Sequence, residues 1–143
     1  MPQKMPNATI SPSSLSGSAL AYLGDAVFEV YVRQMLLETG IGDAGRLNAM
    51  ALDYVRATRQ SAGMDAILPL LTEEEEAVYR RGRNSAGAHP KSATVTEYRR
   101  ATGLEALFGY LFVLGETDRL RTLFEAYAKS QGKEESSDAD EKE

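Results

Sequence analysis

The chain has 143 residues, 43% apolar and 26% charged, which is the size and balance of one globular domain. With no cysteine and a single histidine, His89, it excludes disulfide frameworks, thiolate metal sites and multi-histidine centres, leaving carboxylates and basic residues to carry chemistry. The net charge of −5 is uneven: residues 80–100 hold six Lys and Arg against Glu97 alone, whereas residues 133–143 hold six acids against two lysines.

In chain order, Met1 to Pro6 lacks an apolar signal core, and residues 1–14, rich in Pro, Ser and Asn, are expected to form a flexible lead-in. Leu20, Leu23, Val27, Val30, Tyr31 and Gln34 recur at helical spacing, and Gly40 and Gly42 end that helix. Leu47, Met50, Ala51, Tyr54, Val55 and Thr58 predict a second helix, and Met64 to Leu71 a short third, interrupted at Pro69. Thr72 and Glu75 have the spacing of a capping box that opens a helix to about Arg83, and Thr94 with Glu97 opens another to about Leu114. Asn84 to Ser92, with Gly87 and Pro90, predicts a loop between them. Gly115 stops the long helix, and Thr117 can cap a last one carrying Leu120, Leu123, Phe124 and Tyr127. Residues 132–143 hold no apolar side chain but Ala139 and are expected to be a disordered acidic tail. The expectation is an all-α fold with one domain over 15–131. No apolar run is long enough to span a bilayer, which predicts a cytoplasmic protein free of membrane.

Two carboxylates stand out. Leu20, Leu23, Val27 and Val30 fall opposite Asp25, yet Ala21, Phe28 and Val32 share its own side. A helix apolar on two faces predicts a core face and a second face, Ala21–Phe28–Val32, held by another subunit. Around Glu105, Tyr98, Ala101, Gly109 and Phe112 lie on its side, with Leu107, Tyr110, Leu111 and Leu114 on the other. A carboxylate among apolar neighbours is costly unless it is paired, hydrogen-bonded or bound to a cation. Gly24 and Gly109 permit close approach of the two helices, and the converging carboxylates would suit a hard divalent cation. The alternative is that each caps or pairs locally, with Arg33 or Arg99 as partner.

The run Leu20-Ala21-Tyr22-Leu23-Gly24-Asp25-Ala26-Val27 resembles the signature helix of the ribonuclease III family. Leu104-Glu105-Ala106-Leu107-Phe108-Gly109 is similar to that family's second acidic segment. Leu71-Thr72-Glu73-Glu74-Glu75-Glu76, followed by Arg80-Arg81-Gly82-Arg83-Asn84, resembles its short branch, the Mini-ribonucleases III, in which no separate RNA-binding domain follows. The resemblance covers about residues 13–130 and implies a ribonuclease III endonuclease-like helical bundle.

It also implies a homodimeric, Mg²⁺-dependent endonuclease that cuts double-stranded RNA, leaves 5′-phosphate ends and matures precursor 23S ribosomal RNA. Asp25 and Glu105 carry over as catalytic metal ligands. Ser18, Ala21 and Thr102 stand where the wider family has further acids, so no others carry over, and Glu29 matches no catalytic position. Arg80, Arg83, Asn84, His89, Lys91, Arg99 and Arg100 are the candidates for gripping RNA, since A-form duplexes are read mainly through backbone and shape. The competing reading is a non-catalytic helical dimer that binds RNA or ribosomes through the same basic segment; a helical adaptor with no RNA role would leave the clustered arginines unexplained.

Overall fold

The computed structural model describes residues 11–88, 91 and 93–141, with the side chains of 13 and 132–141 outside the description. Six α-helices follow one another: α1 Gly17–Leu37, α2 Ala44–Val55, α3 Ala57–Ile67, α4 Glu73–Ser85, α5 Val95–Leu114 and α6 Thr117–Glu141. No strand occurs among the described residues.

The helix starts are set by local chemistry. Ser16 and Asp43 each accept a backbone N–H three residues on, from Ala19 and Arg46, at 3.0 and 2.9 Å. Both predicted capping boxes form: Thr72 with Glu75 opens α4, and Thr94 with Glu97 opens α5. At the end of α5, Gly115 takes φ 76°, a left-handed cap that a side chain would resist.

Helix α5 runs through the centre, against α1, α4 and α3, while α6 closes over α3. Its middle is buried nearly all the way round, including Leu104, Ala106, Leu107, Phe108 and Leu111, as expected of a helix with neighbours on every side. Phe28 of α1 lies at the core's heart, meeting the rings of Phe108, Phe124 and Tyr127 edge-on at centroid distances of 5.3, 5.7 and 5.0 Å.

Two expectations change. The second apolar face assigned to α1 is not exposed: Ala21, Phe28 and Val32 belong to the core with Leu20 and Val27. Helix α1 touches α5, α2 and α4, so one broad buried arc replaces two opposed strips. The large apolar residues that α1 does expose are Tyr22, Val30 and Leu37, at 86%, 60% and 60%.

The second and third predicted helices also divide elsewhere. Arg56 turns extended, at ψ 143°, and α3 starts at Ala57, well before Met64. Its inner face begins with Gln60, Ser61 and Gly63, which carry no apolar signal. Helix α6 is assigned as far as Glu141. The side chains of the predicted acidic tail, and residues 1–10 of the predicted lead-in, lie outside the described residues.

Candidate functional site

Helices α1 and α5 cross in backbone contact at two glycines. A Cβ built on Gly24 would stand 1.5 Å from the Glu105 carbonyl oxygen and 2.8 Å from Gly109 N, and one on Gly109 would stand 2.1 Å from Leu20 O. Only residues without side chains allow this approach. It places Asp25, next to Gly24 and exposed, beside half-buried Glu105.

The Glu105 carboxyl titrates far from its ordinary range. Burial, then the negative charge of Asp25 and a hydrogen bond with it, push Glu105 up to about 8; the Gln60 amide acts in the opposite direction, and the charge of Glu29 adds a little to the rise. The pair is thus short of positive charge. Arg33 reaches Glu29 instead, at 3.5 Å, and neither Asp25 nor Glu105 joins an ion pair among the described residues.

Two adjacent carboxyls that lack a basic partner can be accommodated by a shared proton or by a cation. Hard oxygen donors in this number fit a hard divalent cation that keeps several of its waters. No group of three or more metal-ligating side chains converges among the described residues. Ser18 is exposed, Ala21 is core, and the Thr102 hydroxyl donates to Tyr98 O at 2.9 Å, so these positions add no carboxylate.

Behind Glu105 opens a cavity of about 350 Å³, lined among others by Val55, Thr58, Gln60, Tyr98 and Thr102. Gln60 is 2% exposed, and its Nε2 has no hydrogen-bond partner. Sequence reading missed this residue. The signal was the spacing 60–64–67, which continues the buried face of Met64 and Ile67 backwards by one turn.

The candidate RNA-gripping residues flank the loop between α4 and α5. Arg80 forms an ion pair with Glu76. Arg83 lies 5.8 Å over the Tyr79 ring and donates to Asn84 Oδ1 at 3.4 Å. Arg100 donates to Asp65 Oδ1 at 2.8 Å. Exposed Lys91 and Arg99 make no ion pair among the described residues. His89 lies outside the described residues.

The chain is similar to known proteins over most of its length. Residues 18–116 match the family described as "Ribonuclease III domain". The chain is 47% identical over 119 residues to the Mini-ribonuclease 3 of Symbiobacterium thermophilum, covering 82% of this chain and 92% of that one. It is 45% identical over 121 residues to the Mini-ribonuclease 3 of Enterococcus faecalis, again covering 82% and 92%. A crystal structure of a Fusobacterium nucleatum protein superposes with a TM-score of 0.75 at 32% identity, covering 82% of this chain and 95% of that chain.

Proposed function

The chain belongs to the ribonuclease III family, an endoribonuclease of the Mini-ribonuclease 3 kind acting on double-stranded RNA, and from this we propose that Asp25 and Glu105 carry its reaction by holding Mg²⁺. The observation that supports this most directly is that Glu105 is brought against Asp25 with no cationic side chain among the described residues to offset them. When bound, Mg²⁺ supplies an activated water, charge neutralisation at the phosphate and a stabilised leaving oxygen.

What the chain itself does follows from where its groups sit. Asp25 is exposed, so it can approach a duplex backbone and serves as the principal ligand. Glu105, anchored in the central helix, serves as the second. Two protein carboxylates leave most coordination positions to water and to RNA phosphate oxygens. The products carry 5′-phosphate and 3′-hydroxyl ends. No described residue at this pair is a His, and the chain has no Cys, so proton movement is assigned to water and carboxylate.

The catalytic unit is residues 15–131, and the grip is assigned to Arg80, Arg83, Asn84, His89, Lys91, Arg99 and Arg100. Lys91 and Arg99 are the most available of these to phosphates, because the described arginines Arg80 and Arg100 already hold acidic partners. Two copies acting together would cut both strands, and the exposed strip Tyr22–Ala26–Val30 of α1 is the surface for pairing them. Maturation of precursor 23S ribosomal RNA in the cytoplasm is the role proposed for the reaction. A non-catalytic RNA-binding dimer would have no use for the costly pairing of Asp25 with Glu105.

One assay tests the reading. Labelled duplex RNA incubated with the protein and Mg²⁺ should yield 5′-phosphorylated fragments, and excess EDTA should stop the reaction. Binding without cleavage in Mg²⁺ and in Mn²⁺ would favour the non-catalytic dimer.

A further inference from the structure

Gln60 occupies a position that an apolar residue would fill without loss. It stands one turn before Met64 and two before Ile67 on the inner face of α3, both 0% exposed. Yet it carries an amide whose Nε2 is buried and unpartnered, a state that native folds seldom retain without a use for it. The backbone beneath it has little freedom. Gly63 lies so close to α6 that an added Cβ would stand 2.2 Å from the Tyr127 ring, and Gln60 N donates to Arg56 O at 2.9 Å.

The side chain opens on the cavity that Glu105 also lines. Of the polar groups there, the Thr102 hydroxyl is engaged with Tyr98 O, and Arg56 reaches Asp53 at 3.8 Å with its side chain 63% exposed. Of the side-chain acceptors that remain, the hydroxyls of Thr58 and Tyr98 and the carboxyl of Glu105, the carboxyl is the one that can carry charge and so accept most strongly. The amide is near enough to favour the charged form of that carboxylate, yet it closes no hydrogen bond with it.

We propose that Gln60 is a positioning residue for Glu105: its buried amide donates to one oxygen of the ionised carboxylate and so keeps the other available to the cation shared with Asp25. This rests on the metal-binding reading of that pair. It gives α3, which contributes no ligand, a part in the site: ligating carboxylates work best when a second hydrogen bond fixes their orientation.

The test uses the full chain carrying Gln60→Leu or Gln60→Met, which keep the bulk and remove the donor, beside Asp25→Asn. Free Mn²⁺ is counted by electron paramagnetic resonance during titration of each protein, without RNA. Melting temperature and duplex binding in EDTA are measured in parallel. For the Gln60 variants we expect wild-type or higher melting temperatures, unchanged duplex binding and Mn²⁺ affinity weaker by about 10-fold or more. The Mg²⁺ concentration giving half-maximal cleavage should rise by the same factor.

Wild-type Mn²⁺ affinity in a folded Gln60 variant overturns the proposal. So does failure of both variants to fold, which would make the amide part of the fold rather than of the site. The Asp25→Asn control separates the two levels. If it loses Mn²⁺ while the Gln60 variants keep it, only the role of Gln60 falls. If it binds Mn²⁺ like the wild type, the metal reading of the pair falls and this proposal with it.

Discussion

Gly24 and Gly109 meet where α1 crosses α5, and their contact is what brings two acids into one site. Each stands where a Cβ would collide with the other helix's backbone, which cannot move aside as a flexible side-chain tip could. Replacing Gly24 with Ala should therefore push the helices apart. Overpacking of this kind costs about 1–3 kcal/mol, and the upper end or beyond is expected here because the clash is with a main-chain oxygen. Calorimetric melting should show that loss together with weakened divalent-cation binding. Gly42→Ala, where nothing lies within 4 Å, is the matched control and should change neither.

Asp25→Asn should abolish cleavage and leave fold and duplex binding intact. The side chain is exposed and the change is nearly isosteric, so packing has little to lose. Removing the charge withdraws several kcal/mol of transition-state stabilisation, a rate loss on the order of 10³-fold. Glu105→Gln should behave alike, and partial rescue by Mn²⁺ would support a ligand role. Cleavage by either variant at a substantial fraction of the wild-type rate would remove that residue from the mechanism.

The acids themselves were legible in the sequence because each broke an apolar pattern at a motif position. So were α4 and α5, whose capping boxes are short-range chemistry written in adjacent residues. The surroundings were less legible. Periodicity gives the angle of a residue on a helix but not the width of the arc that neighbours will cover. Helix α1 has three such neighbours, so Ala21, Phe28 and Val32 read as a spare face although they are core. Gln60 and Ser61 were hidden for the opposite reason: they are buried but polar, and a hydrophobic pattern cannot register them.

Glu105 makes the metal-free protein sensitive to alkali. Its carboxyl is raised from 4.5 to about 8 in the fold, by burial first and then by Asp25. The native state then binds more protons than the unfolded chain between those values, so this contribution to stability is present below about 4.5 and lost as pH rises toward 8. In EDTA the melting temperature should decline across that window, and Glu105→Gln should flatten the decline. If Mg²⁺ binds the pair as proposed, it replaces the proton, and the stabilisation it gives should grow with pH. A decline just as steep in Glu105→Gln would assign the effect to other groups.

Val30 and Val32 are two residues apart, and they separate pairing from folding. Val30→Asp alters an exposed side chain and should change stability by no more than about 0.5 kcal/mol, while sedimentation shifts from dimer toward monomer. Val32→Asp places a carboxylate at a 0% exposed position and should unfold the protein. A wild-type chain that sediments as a monomer at micromolar concentration would refute the dimer, and an undisturbed dimer in Val30→Asp would move the interface off this strip.

The basic segment supplies the last test. Six positive residues lie between Arg80 and Arg100, but they are not equivalent. Arg100 is bound to Asp65 and Arg80 to Glu76, so part of their charge is already answered within the fold. Lys91 and Arg99 are exposed and have no such partner among the described residues. If they touch phosphates, replacing both with Ala should weaken duplex binding in EDTA. The salt dependence should flatten by roughly 0.9 units of log–log slope for each phosphate that is no longer neutralised. Melting temperature should hardly move. Arg100→Ala should show the reverse weighting, with a larger effect on stability than on the salt slope, because it strips a partner from Asp65. Should the Lys91/Arg99 double variant bind duplex RNA like the wild type across a salt titration, these two charges are only a solvated surface, and the grip belongs to other residues.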